Sequence, residues 1–197
     1  MTTNEEALEA VKRDGLLLRH IKKPTPEIRL AAVRQNGLAL KHIRKRTPEL
    51  CIAAVMQNGL ALKYVKEQTL EMCLAAVWEN GYSLEYAQKQ TAEMCLTAVQ
   101  GDGVALRYVR EQTDKICLAA VERSGSVLCF VREQNPEICF AAVRQNGFAI
   151  YFVKEQTLEL CMEAVKKNPG SLMFVSDLYL DECWDEVRER QQDGLGE

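Results

Sequence analysis

The chain has 197 residues, 47% of them apolar, and its 25 basic and 28 acidic side chains leave a formal charge of −3. Such a composition suits a folded soluble protein and excludes a generally basic polymer-binder. The longest apolar runs are far too short to cross a bilayer. The opening Met1-Thr-Thr-Asn-Glu-Glu is polar and acidic and does not read as a secretory leader. The cytosol of the producing cell is therefore the expected location, or a host cytosol if export uses another signal.

A glycine recurs every 22 residues, at Gly15, Gly37, Gly59, Gly81, Gly103, Gly125 and Gly147. A fixed period of roughly 20 to 50 residues is the signature of a solenoid or array. The period runs almost from end to end with no linker. It predicts an all-α solenoid, a superhelical array of about eight 22-residue helix-turn-helix repeats with polar end caps. Residues 1–24 read as an N-terminal capping repeat, 25–178 as seven tandem repeats, and 179–197 as a capping helix with a frayed tail.

The opening unit keeps register. Thr3 is its helix N-cap and Glu6, three residues later, completes a capping box. Glu6 stands where later repeats carry Ile or Leu, as befits an outer face that meets water. In the repeats that follow, Thr25, Thr47, Thr69, Thr91, Thr113, Asn135 and Thr157 take the first place and predict N-caps. Pro26, Pro48 and Pro136 come next, where a missing N–H costs nothing. The Glu after them favours the positive end of the helix dipole.

A helix of roughly ten residues should then bury Ile/Leu/Met at the fourth place, Cys at the fifth, Ala at the eighth and Val at the ninth. The invariant Ala32, Ala54, Ala76, Ala98, Ala120, Ala142 and Ala164 would let a neighbouring helix approach closely. Asn-Gly pairs such as Asn58-Gly59 should stop the helix, with glycine in a left-handed C-cap. A second helix of roughly eight residues should follow, its core supplied by Leu40, Leu62, Leu84, Leu106, Leu128, Ile150 and Leu172. His42, Tyr64, Tyr86, Tyr108, Phe130, Phe152 and Phe174 should stack along the seam between repeats. Helices this short do not persist alone in water. At the far end Pro169-Gly170 replaces Asn-Gly, a last helix is expected from Asp181 to about Arg190, and Glu186 replaces its small alanine.

The stretches Pro48–Gln68 and Pro136–Gln156 resemble bacterial repeats known as domain of unknown function 4116, and weaker versions cover most of Thr3 to Leu178. The resemblance implies a helical repeat protein and brings no activity or ligand with it.

The chemistry-bearing residues point away from catalysis. Cys51, Cys73, Cys95, Cys117, Cys139, Cys161 and Cys183 keep the period and only Cys129 lies off it. Equivalent sulfurs in stacked repeats would lie roughly 8–10 Å apart, too far for one zinc ion at about 2.3 Å or for a disulfide. They read as small buried hydrophobes in a reducing compartment. His20 and His42 occupy one place in adjacent repeats and read as early members of the aromatic column. The expectation is no enzyme, no metal, no cofactor and no membrane partner.

Two surface features remain. Lys22, Arg44, Lys66, Arg110, Arg132 and Lys154 share the twentieth place, with Lys41, Lys63 and Arg107 a turn earlier. They could track a phosphate backbone, or could simply complement helix ends beside Glu67, Glu111, Glu133 and Glu155. Basic residues also outnumber acids up to Arg46, with Lys22, Lys23, Arg44, Lys45 and Arg46 close together. Either a polyanion contact or two solvated helix ends would explain that. The second feature is variation. The tenth and fourteenth places change from repeat to repeat while the core does not. Arg34, Met56, Leu60, Trp78, Tyr82, Arg144 and Phe148 would form a partly apolar strip at the turn edge. The favoured function is non-catalytic recognition of an unidentified protein or peptide through that strip, with nucleic-acid backbone binding through the cationic ladder as the alternative.

Overall fold

The structure, a computed structural model, describes residues 3–193, with side chains as far as Glu189. Its elements are α-helices alternating with 3-10 helices, and the described residues contain no strand. The chain is an all-α repeat solenoid in its local construction, and it divides into two units, Met1–Gly101 and Asp102–Glu197. The first holds α1 (Asn4–Arg13), α2 (Pro26–Gln35), α3 (Pro48–Gln57), α4 (Leu70–Glu79) and α5 (Ala92–Gly101). The second holds α6 (Asp114–Arg123), α7 (Pro136–Gln145), α8 (Leu158–Lys167) and α9 (Leu180–Asp193). Within each unit, consecutive α-helices pack on one another and consecutive 3-10 helices do the same.

The helix starts form as the sequence predicts. Thr25, Thr47, Thr69, Thr91, Thr113 and Thr157 each accept from the backbone N–H three residues on, and so does the Asn135 side chain. Thr3 and Glu6 close a capping box. The core columns are buried from Ile28, Ala32 and Val33 to Leu160, Cys161, Ala164 and Val165, but Leu172, expected to close the second column, is only half-buried. Each fully buried aliphatic side chain contributes about 1.5–3 kcal/mol relative to exposure, which is what sustains ten-residue helices.

Two expectations are corrected. The second element of each repeat is a 3-10 helix of six residues, as at Gly59–Tyr64. The polypeptide needs only one tight turn pair to bring the Leu62 and Val65 columns onto the core. The glycines also differ from expectation: among the described residues none has positive φ. Asn58, at φ −153 and ψ 108, is extended, ends α3, and caps the next 3-10 helix by accepting from Leu60 N–H at 3.0 Å. What glycine provides is close approach. A Cβ at Gly103 would lie 2.7 Å from the Ala120 carbonyl oxygen, and at Gly15, Gly37, Gly59, Gly125 and Gly147 closer still to the equivalent alanine carbonyl of the next repeat. The invariant alanine and invariant glycine are therefore two halves of one contact.

The last helix runs to Asp193, past the expected end near Arg190. The rest of the expected tail, 194–197, and residues 1–2 of the opening unit lie outside the described residues.

Candidate functional site

Within each unit, glutamine amides bind repeats to their neighbours. Gln68 donates to Tyr86 O at 2.9 Å and to Leu62 O and Val65 O at 3.4 Å, while its Oε1 accepts from Gln88 N–H at 2.8 Å. Gln112, Gln134 and Gln156 repeat the pattern, donating to Phe130, Phe152 and Phe174 carbonyls at 3.0, 2.9 and 2.9 Å. A second row works at the glycine turn, where Gln35 and Gln145 accept from Gly15 N–H at 2.7 Å and Gly125 N–H at 2.6 Å. Sequence reasoning missed these amides, although Gln68, Gln90, Gln112, Gln134 and Gln156 recur with the period.

The cysteines join the same network. Sγ of Cys73, Cys139 and Cys161 lies 3.5, 3.7 and 3.4 Å from the Oε1 of Gln68, Gln134 and Gln156. Burial pushes the Cys73 and Cys139 thiols up. Burial and the neighbouring Cys183 push Cys161 up to about 11. Such thiols stay protonated and are poor nucleophiles or metal ligands at neutral pH.

The cationic ladder is exposed along its whole length, at Lys22, Arg44, Lys66, Arg110, Arg132 and Lys154. Its later members are engaged. Arg132 donates to Arg110 O at 2.6 Å and Val109 O at 2.9 Å, and Lys154 Nζ donates to Arg132 O at 2.7 Å. In the first unit Arg44 and Lys66 line a groove with Arg46, Pro48, Cys51, Glu67, Thr69 and Met72.

Cations and a further ring interleave the aromatic column. Lys63 lies 5.6 Å over Tyr86, Arg107 lies 5.2 Å from Tyr108 and 5.7 Å from Phe130, and Tyr151 meets Phe152 and Phe174 edge-on at 5.0 Å each. His20 and His42, at the same place, are exposed.

Of the variable residues, Met56 and Trp78 come together. Met56 on α3, Leu74, Ala75, Trp78 and Glu79 on α4, and Glu93 and Thr97 on α5 line a groove of about 430 Å³ in the first unit. Trp78 is 83% exposed and Met56 65%. Their sequence explains this: both stand at the outward tenth place, while half-buried Leu74 and small Ala75 floor the groove. Arg34, Leu60 and Tyr82 are in the same unit but do not line it. Arg144 and Phe148 belong to the second unit, where Arg144 lies 5.7 Å over Phe140 and 3.1 Å from Glu163, and Phe148 meets Phe174 edge-on at 6.3 Å. A further apolar surface, at Met173, Leu180 and Trp184 beside Arg188, lies where a polar cap is expected.

Residues 25–70 match the family model described as "Domain of unknown function (DUF4116)". The match bears out the resemblance over that segment. The DUF4116 stretch contains α2, α3 and the 3-10 helices at Gly37–His42 and Gly59–Tyr64, two full turns of the repeat. Its description assigns no activity. No curated protein and no solved structure matches the chain. Among the described residues, no helix is long and apolar enough to cross a membrane.

Proposed function

We propose that this chain is a non-catalytic recognition scaffold whose first unit holds a protein or peptide segment in the Met56–Trp78 groove. One observation carries the reading: an indole 83% exposed at the rim of an apolar floor. A tryptophan left in water forgoes a burial worth about 2–3 kcal/mol, and tryptophan is among the commonest anchors of protein interfaces. Glu79 and Glu93 flank the floor, so the fitting segment presents an aliphatic or aromatic anchor with Lys or Arg beside it. The non-catalytic part of the reading is supported by the thiols, which are spent on glutamine bonds and held protonated.

Selection of a displayed peptide library on the intact chain, counter-selected on Trp78→Ala, tests this. The expected binders carry an apolar residue next to a cation, and lose at least tenfold affinity on Trp78→Ala with unchanged helical circular dichroism. Binders indifferent to Trp78 would remove the groove from consideration.

A further inference from the structure

The first two turns of the chain differ in charge from those that follow. Residues 15–26 contain Arg19, His20, Lys22 and Lys23, and residues 37–48 contain Lys41, His42, Arg44, Lys45 and Arg46; neither stretch has an acid. Each later turn carries at least one: Glu67, Glu85, Glu111 with Asp114, Glu133, Glu155 and Asp177. The two 3-10 helices involved, Gly15–His20 and Gly37–His42, pack against each other, so their charges share one surface. All of these side chains are exposed except half-buried Arg46. Among the described residues none of them forms an ion pair.

The crowding has internal consequences. Arg19 Nε donates to His20 Nε2 at 2.8 Å, which needs that nitrogen unprotonated. Burial, then Lys41, Arg19 and His20, hold His42 below the usual imidazole range. The cations that, after burial, disfavour the charged form of His42 are ones that an external polyanion would relieve.

We propose that the turns at 15–26 and 37–48 together bind the sugar–phosphate backbone of a nucleic acid, without reading its bases. This site is separate from the Trp78 groove and does not depend on it. A membrane surface fits less well, because among the described residues no large apolar side chain is exposed before Met56, which leaves only headgroup charge and no apolar insertion to hold the chain there. An acidic protein would also need an apolar interface core beside the charges. Phosphates need only cations and donors. These turns expose no Phe, Tyr or Trp, and only the small imidazoles of His20 and His42 could meet a base, so backbone charge dominates and binding should be largely indifferent to sequence and strongly salt-dependent. The site thus occupies only the opening members of the ladder, Lys22 and Arg44, while Arg132 and Lys154 cap the carbonyls of preceding turns.

The test is fluorescence anisotropy of the intact chain with labelled duplexes of about 20 base pairs, at 50 and 200 mM KCl, where neutralising four to five phosphates should weaken binding by roughly 150- to 500-fold. Two unrelated duplex sequences should bind equally. Lys22→Glu with Lys41→Glu and Arg44→Glu should abolish binding and flatten the salt slope, while Lys115→Glu with Arg123→Glu in the second unit should leave it unchanged. If the reversed triple variant fails to fold, Lys22→Gln with Lys23→Gln and Lys45→Gln should weaken binding at least tenfold. Trp78→Ala should have no effect, which separates this site from the peptide groove. No binding at 50 mM, retention by the triple variant, or capture of anionic vesicles in place of duplex would each overturn the proposal.

Discussion

The outer α-helical faces of the two units are built on one plan and finished differently. In the first unit the tenth place of the repeat reads Arg34, Met56, Trp78 and Gln100; in the second it reads Glu122, Arg144 and Lys166. Below it lie half-buried rows of the same kind, Leu74 with Ala75 on α4 and Phe140 with Ala141 on α7. On α7 the guanidinium of Arg144 lies over Phe140 and is held by Glu163, so the apolar floor is covered by the chain's own cation. On α4 the indole of Trp78 points into water and the floor stays open. One residue per repeat thus decides whether a face is closed or available, and the frame beneath need not change.

If the frame is shared, the same lesion should hurt both units alike. Gly59→Ala and Gly125→Ala each place a methyl group against a backbone carbonyl that cannot rotate away, Ala76 O and Ala142 O. Each should cost about 3 kcal/mol or more by overpacking. Gly101→Ala meets nothing within 4 Å at the end of α5 and should instead stabilise by about 0.5–1 kcal/mol. Thermal melts of the three variants check this. Equal tolerance of alanine at all three glycines would break the account of the turn.

The next test copies the second unit's finish onto the first. Trp78→Arg removes the indole and supplies a cation near Glu93. Loss of an interface tryptophan typically costs about 2–4 kcal/mol of binding, so peptide affinity should fall at least 30-fold. The melting temperature should not move, because the indole is exposed.

Much of this frame is legible in the sequence, for a physical reason. Caps such as Thr47 and core columns such as Ala54 and Val55 act through local geometry and periodicity, which one repeat displays in full. The inter-repeat bonds are another matter. Gln68 looks like a solvated side chain, yet its partners at Tyr86 and Gln88 are 18 and 20 residues away. Only its recurrence with the period signals a job. The glycine was open to misreading for the same reason. A left-handed cap explains Gly59 locally, whereas the carbonyl that excludes its Cβ belongs to the following helix. The clue is that glycine persists where asparagine yields to Asp102 and Ser124. In the candidate site, Met56 and Trp78 are visible as variable apolar places. That Arg144 is covered by Glu163 depends on a side chain in the next repeat, which the variation alone does not reveal. Nor does composition mark the boundary after Gly101, although a glycine there replaces the glutamine whose counterparts Gln35 and Gln145 bind the preceding turn.

Gln68→Ala and Gln156→Ala probe those bonds in each unit. Each strands carbonyls on two repeats and an N–H on the next, and should cost about 2 kcal/mol. A double-mutant cycle with Cys161→Ala should show that part of the Gln156 loss runs through the thiol at 3.4 Å. The same thiol sets an alkaline limit. Its folded pKa, about 11, lies above the ordinary value of 9.0, because burial and Cys183 disfavour the thiolate. The stability it contributes is therefore complete below pH 9 and is lost as pH rises towards 11. Denaturant midpoints measured across that window should fall in the parent and fall less in Cys161→Ala.

The smallest effect runs the other way. The fifteenth place holds Ala39, Ala61, Ala105 and Ala149, each fully buried, and buried Val127, but serine at Ser83 in the first unit and Ser171 in the second. Both hydroxyls are buried without a hydrogen-bond partner. Each is a desolvated donor for which the glycine turn has no acceptor to offer. Ser83→Ala and Ser171→Ala should therefore each stabilise the fold by about 1 kcal/mol, read as a higher denaturant midpoint with unchanged slope. Because the two places are equivalent, the gains should match. A gain at Ser83 alone would mean that the stack around Ser171, nearer the chain's end, has room to admit a water that satisfies the hydroxyl.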